Sequence, residues 1–187
     1  MSKINFKELI SDTWQDFETL FGERGACGGC WCMYWRLRNK EFESGKGNGN
    51  KEAMKKLVKK NEQMGVIMYS GSEPIGWCSV SPREDFIRLE NSRILKPIDD
   101  KPVWSIVCFF IDKKHRRKGY SVELLLEVIK NVKKKGAKIL EGYPNEPKKE
   151  DMPAVFAWTG IFSAFKTAGF KEVGRRSETR PIMRYYI

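Results

Sequence analysis

Val103-Trp-Ser-Ile-Val-Cys-Phe-Phe-Ile111 leads into Asp112-Lys-Lys-His-Arg116-Arg117-Lys118-Gly119-Tyr120-Ser121, and then into a segment carrying Val122, Leu125, Leu126, Ile129 and Val132. A run that is apolar at nearly every position suits a strand covered on both faces. The aliphatic spacing after it is that of a helix stripe, and Gly136 stops the pattern. Lys138 to Tyr143 returns as a strand. Strand, basic turn, helix and strand make a βαβ unit, so Val103–Ile111 and Lys138–Tyr143 are expected to run parallel.

Outward from this unit, Val66–Tyr69 and Ile75–Val80 read as a β-hairpin turning at Ser70-Gly71. Further upstream, Trp14, Phe17, Leu20 and Phe21 share one helix face, with Ser11 or Asp12 as cap and Gly22 as stop. A lysine-rich helix carries Ala53, Met54, Leu57 and Val58 on its apolar side. Between the two, Ser44–Asn50 (SGKGNGN) reads as a loop. Downstream, Ala154–Thr167 is expected to be helical, Gly169 ends it, and Phe170–Arg175 and Pro181–Ile187 close the chain as strands. Residues 81–102 carry no clear signal. The pattern predicts a mixed α/β (α+β) fold, a central mixed twisted sheet with helices on both faces, in a single domain over residues 1–187.

The chain has 187 residues, enough for one compact domain without a disulfide or metal staple. Its 41% hydrophobic and 32% charged residues exclude a disordered tail protein. The longest apolar run falls well short of the roughly 20 residues that span a bilayer, and the first residues lack a secretory apolar region. Five cysteines, an odd count without secretory context, read as reduced thiols of a cytoplasmic protein. A net charge of +11 favours an anionic partner without choosing among nucleic acid, acidic lipid and a phosphorylated small molecule.

The chemistry sits at the basic turn. A glycine between a buried strand and a helix start lets the backbone approach a ligand closely, and free N–H groups at a helix start suit a phosphate. The turn is neither a P-loop nor a dinucleotide fingerprint. A solvated turn with a capping serine remains open on this segment alone.

Arg116-Arg-Lys-Gly119-Tyr-Ser121 resembles the acetyl-CoA signature Q/R-x-x-G-x-G/A of the GCN5-related N-acetyltransferases (GNAT), with Ser in the last place. Ala164-Phe165-Lys-Thr-Ala-Gly169-Phe170 is similar to that family's late helix ending in Gly-Phe, and GWCSVSPRE, EGYP and RRSETRPIMR are similar to a bacterial branch of it. The resemblance implies a GNAT-like fold with acetyl-CoA as co-substrate and no metal. It implies acetyl transfer to a primary amine of a small-molecule or peptide acceptor, by direct attack in a ternary complex. The backbone of Phe109, Phe110 and Ile111, splayed at a bulge, would bind the pantetheine and the acetyl carbonyl. Arg116, Arg117, Lys118, Gly119, Tyr120 and Ser121 would hold the pyrophosphate.

Two departures stand out against the family. Phe165 occupies the place where many relatives have the tyrosine that protonates the thiolate, and Ser105 the place of the glutamate base of the histone-modifying branch. Tyr143 and Glu141 are the substitute catalytic candidates, with proximity alone as the alternative. Trp31 and Tyr34, in the early region that builds the family's acceptor site, are expected to line it, where a cationic amine over a ring is favourable.

Other signals weigh less. His115 is read as a residue of an exposed turn and Asp112 as its brace. Cys27, Cys30 and Cys32 form C-x-x-C-x-C without a recurring pair, which favours packing around a Gly28-Gly29 turn over metal. The lysine runs read as solvated helix faces, not a nucleic-acid surface. A basic nucleic-acid-associated protein and a Cys-rich metal or redox-sensing module on the same fold are the rival readings, and a homodimer is left open.

Overall fold

The computed structural model describes residues 3–60, 62, 64–147 and 157–187. Its strands are β1 (Ile4–Glu8), β2 (Gly65–Ser70), β3 (Glu73–Pro82), β4 (Trp104–Ile111), β5 (Ile139–Gly142), β6 (Lys171–Arg175) and β7 (Pro181–Tyr186). The helices are α1 (Trp14–Phe21), α2 (Asn39–Ser44), α3 (Asn48–Lys59), α4 (Ile87–Glu90), α5 (Tyr120–Lys134) and α6 (Phe162–Thr167). The seven strands form one sheet in the order β1-β2-β3-β4-β5-β7-β6. Every neighbouring pair is antiparallel except β4 and β5, the pair joined through α5.

The unbroken apolar run of β4 follows from cover on both faces. On one face Ile106 and Phe109 join Leu124, Leu125, Val128, Ile129 and Val132 of α5 and Phe165 of α6. On the other, Phe17 and Phe21 of α1, Met54 and Val58 of α3, and Trp31 pack on Ile67, Tyr69 and Trp77. A third cluster, with Trp35, Phe86, Leu89, Val107, Tyr143 and Ile182, lies under α4.

Several expectations need correction. Only Gly45 to Gly47 of the supposed loop turn, because Ser44 still closes α2 and Asn48, Gly49 and Asn50 already open α3. The buried Asn50 amide donates to Gly29 O and Phe42 O, tying the segment to the cysteine loop. The late helix starts at Phe162, not Ala154; Ala157 to Gly160 turn instead, and Ala154 to Phe156 lie outside the described residues. The α5 stripe is shifted in phase, with Leu124 buried and Leu126 exposed. Neither Ser11 nor Asp12 caps α1 with its side chain. Thr13 Oγ1 braces the entry instead, accepting from Ile10 N and donating to Glu8 O.

Candidate active site

Two irregularities shape β4. Its pairing with β3 steps from Ser79↔Cys108 to Val80↔Ile106, leaving Val107 as an extra, bulged residue. Its pairing with β5 covers only Trp104↔Leu140, Ser105↔Glu141 and Ile106↔Gly142. Beyond Ile106 the two parallel strands part. The split holds the segment around Trp158, whose carbonyl accepts from Phe109 N at 2.6 Å.

Alternation along the strand then assigns the remaining amides. Asp112 N donates to Ile75 O, on the β3 side, so the N–H groups of Ile111 and Phe109 point the other way, into the split. Phe110 N–H faces β3, opposite Trp77. Of the three strand-end residues singled out in the sequence, Ile111 is the one whose N–H faces the split without a backbone acceptor among the described residues. Its carbonyl accepts from Arg116 Nε at 2.9 Å.

Asp112 Oδ1 accepts from Lys114 N and caps a short turn of 3-10 helix over Lys113–His115. Arg117 and Gly119 follow with positive φ of 62° and 78°. These left-handed residues on either side of Lys118 curl the backbone into the kind of concave turn that binds anions. None of the N–H groups from Arg116 to Ser121 donates to a backbone acceptor among the described residues. Arg116, Arg117 and Lys118 are exposed beside them, at the positive end of α5. His115 is half-buried between Glu73 and the Tyr120 ring, not fully exposed.

On the opposite face of the sheet lies a cleft of about 390 Å³ lined by Tyr34, Trp35, Arg88, Leu95 and Arg180 among others. Trp158 connects it to the split: its ring stacks on Trp35 at 5.7 Å and meets Tyr34 edge-on at 5.2 Å.

The sequence profile of the acetyltransferase (GNAT) family matches residues 31–150. The chain belongs to the GNAT acetyltransferase family. Solved structures share its fold at low identity. Thermoplasma acidophilum PaiA N-acetyltransferase in complex with coenzyme A is 17% identical, with 99% of each chain covered and a TM-score of 0.56. Arabidopsis thaliana NAA60 in complex with acetyl-CoA is 12% identical over 99% of this chain and all of its own, with a TM-score of 0.53. An aminoglycoside N-acetyltransferase in complex with CoA is 14% identical over 96% and 95% of the two chains, at 0.57. No curated protein matches the chain in sequence. As a GNAT enzyme the protein is an acyltransferase with acetyl-CoA as its donor.

The two substitute catalytic candidates, Glu141 and Tyr143, occupy a closed network. Glu141 and Tyr143 are buried. Glu141 Oε1 accepts from Tyr143 Oη at 2.7 Å and from Arg83 Nη1 at 3.2 Å, while Oε2 accepts from Arg184 Nε at 2.7 Å. Tyr143 Oη also accepts from Arg83 Nη1 at 2.6 Å and contacts Ser105 Oγ at 2.9 Å. Burial first, and then the Glu141 charge, push the Tyr143 phenol well above its usual range. Both side chains are committed to bracing the strands beside the split. Arg83, which organises this network together with Leu89 O and Leu95 O, lies in the stretch that carried no readable signal.

Phe165 has no hydroxyl and fits against Gly142 and Gly160, where a Cβ would meet its ring. Trp31 does not line the cleft. It is buried against Trp14 and Phe21. Tyr34 does line it, but one face of its ring is already taken by the Arg88 guanidinium at 4.1 Å, which repels an incoming cation.

Gly28 and Gly29 turn with positive φ, and Cys32 is buried beneath them. No group of three or more metal-ligating side chains converges among the described residues. Burial pushes the Cys32 thiol up, but hydrogen bonds with Cys108, Trp77 and Ser79 and the nearby Arg36 charge outweigh it and hold it at about 7. Access, not acidity, then decides reactivity. Iodoacetamide is expected to modify exposed Cys27 in the native protein, and Cys32 and Cys78 only after denaturant is added. Mass spectrometry of the labelled peptides checks this, and native labelling of Cys32 would show that the loop opens.

Proposed function

We propose that residues 1–187 work as one cytoplasmic N-acetyltransferase domain that acetylates a primary amine by direct attack within a ternary complex. The end of β4, unpaired on its β5 side, carries this reading, because it leads into the basic turn and, through Trp158, borders the cleft. The amides from Arg117 to Ser121 hold the pyrophosphate, with Arg116, Arg117 and Lys118 supplying charge. Of the three strand-end residues, Ile111 offers the N–H that positions the pantetheine arm and its thioester, because Phe109 N–H is held by Trp158 O and Phe110 faces β3.

Acetyl-CoA supplies an activated acyl carbon. The neutral amine attacks that carbon, the C–N bond forms, the C–S bond breaks, and the amine proton leaves through water to the thiolate. Phe165 cannot give a proton, and the Ser105 hydroxyl is engaged by Tyr143. The rate is therefore assigned to positioning of two substrates across the split. Acetyl-CoA is expected to raise Tm, and CoA thiol to appear only when an amine is added. Thiol release independent of any amine, or no thermal shift at saturating acetyl-CoA, would refute the proposal.

A further inference from the structure

The cleft beside Trp158 is built for negative charge. Arg88 and Arg180 both line it, and among the described residues no Asp or Glu does. Neither guanidinium forms an ion pair with a carboxylate among the described residues. Arg180 Nη1 meets only neutral acceptors, Thr159 Oγ1 at 2.6 Å and Tyr143 O at 3.4 Å. Arg88 Nε donates to Leu37 O, and its Nη2 is buried without a hydrogen-bond partner among the described residues.

A buried donor of a charged group left unpaired, as at Arg88, is costly, and two cations on one small cleft repel a substrate that brings only an ammonium. The volume of about 390 Å³ falls within the range of small-ligand sites. Trp35 and Tyr34 give it flat apolar walls. Guanidinium groups recognise carboxylates through paired, charge-assisted hydrogen bonds.

We propose that the acceptor is an amine that also bears a carboxylate, an amino-acid-like molecule. Arg88 and Arg180 bind the carboxylate while the amine reaches the thioester at the split of β4. This deepens the amine-acetylation reading above and rests on it. Trp35, which packs in one cluster with bulged Val107, links the cleft wall to the strand that carries the donor. The cations thus orient the acceptor and also exclude amines that lack the anionic end.

Matched pairs test this on the intact protein: tryptophan against tryptamine, tyrosine against tyramine and lysine against cadaverine, with CoA thiol release as the readout. At least one acid is expected to exceed its decarboxylated partner in kcat/KM by about 10- to 100-fold, the worth of a hydrogen bond to a charged group. Arg180→Gln and Arg88→Gln are expected to lower the acid's kcat/KM by a similar factor and to narrow the gap between partners. A retained thermal shift with acetyl-CoA shows that each variant is folded. Turnover of the decarboxylated amines at equal or greater rate by the wild-type enzyme overturns the carboxylate assignment and leaves amine acetylation standing. Failure of every amine to release CoA, despite acetyl-CoA binding, overturns both.

Discussion

Gly119→Glu is expected to abolish the thermal stabilisation that acetyl-CoA gives the wild-type protein. At a ligand concentration about a hundredfold above Kd, binding adds roughly 2.7 kcal/mol to the folded state, or roughly 5–10 °C in Tm at this chain length. Gly119 has φ of 78° and no atom near the position of a Cβ. Space therefore does not forbid a side chain. Left-handed backbone costs an ordinary residue about 1–2 kcal/mol, which a domain of this size survives. The loss comes instead from a carboxylate placed among amides that bind phosphate. Gly119→Pro is expected to be as damaging, since proline removes the N–H and cannot adopt that φ. Gly119→Asn tolerates the left-handed region and is expected to keep most of the shift. Thermal melts with and without acetyl-CoA decide the matter, and full stabilisation of the Glu and Pro variants would move the phosphate site elsewhere.

Glu141→Gln is expected to be the most destabilising of the conservative substitutions near the site. Its carboxylate answers two buried arginines, Arg83 and Arg184, within one hydrogen-bonded network. Removing one partner from a buried ionic cluster costs about 3–5 kcal/mol, a fall in Tm of roughly 6–20 °C here. Glu90 and Asp99 partly compensate, because Arg83 also pairs with the first and Arg184 with the second. Below its Tm the variant is expected to keep the shape of the kcat–pH profile. Loss of a titrating limb with stability intact would make Glu141 a general base instead of a brace.

The parts of the fold legible in the sequence are those whose signal is local. β4 showed itself because both of its faces are covered, and α5 because its stripe and Gly136 define both its face and its end. The turn at Gly119 was legible because glycine and helix start coincide there. β1 was missed: Ile4 to Glu8 is short, half-buried and an edge, so it carries little alternation. The loop composition of Ser44–Asn50 concealed the start of α3, which is fixed by distant partners of Asn50.

The site was legible only in part for the same reason. Arg88 and Arg180 reach one cleft, and Arg83 meets Glu141 and Tyr143, across long stretches of chain that no spacing announces. Trp31 and Tyr34 are close in sequence, yet one enters the core and the other the cleft, because left-handed Trp31 and Cys32 reverse the backbone between them.

Val107 works as a phase shifter. The residues before it and after it obey opposite in-and-out rules, so Ile106 and Phe109, an odd number of positions apart, enter the same core. A strand lacking that one extra residue would swap the destinations of Phe109 and Phe110 and turn the Ile111 amide toward β3. A single uncounted position thus sets the parity on which donor recognition and core packing both depend.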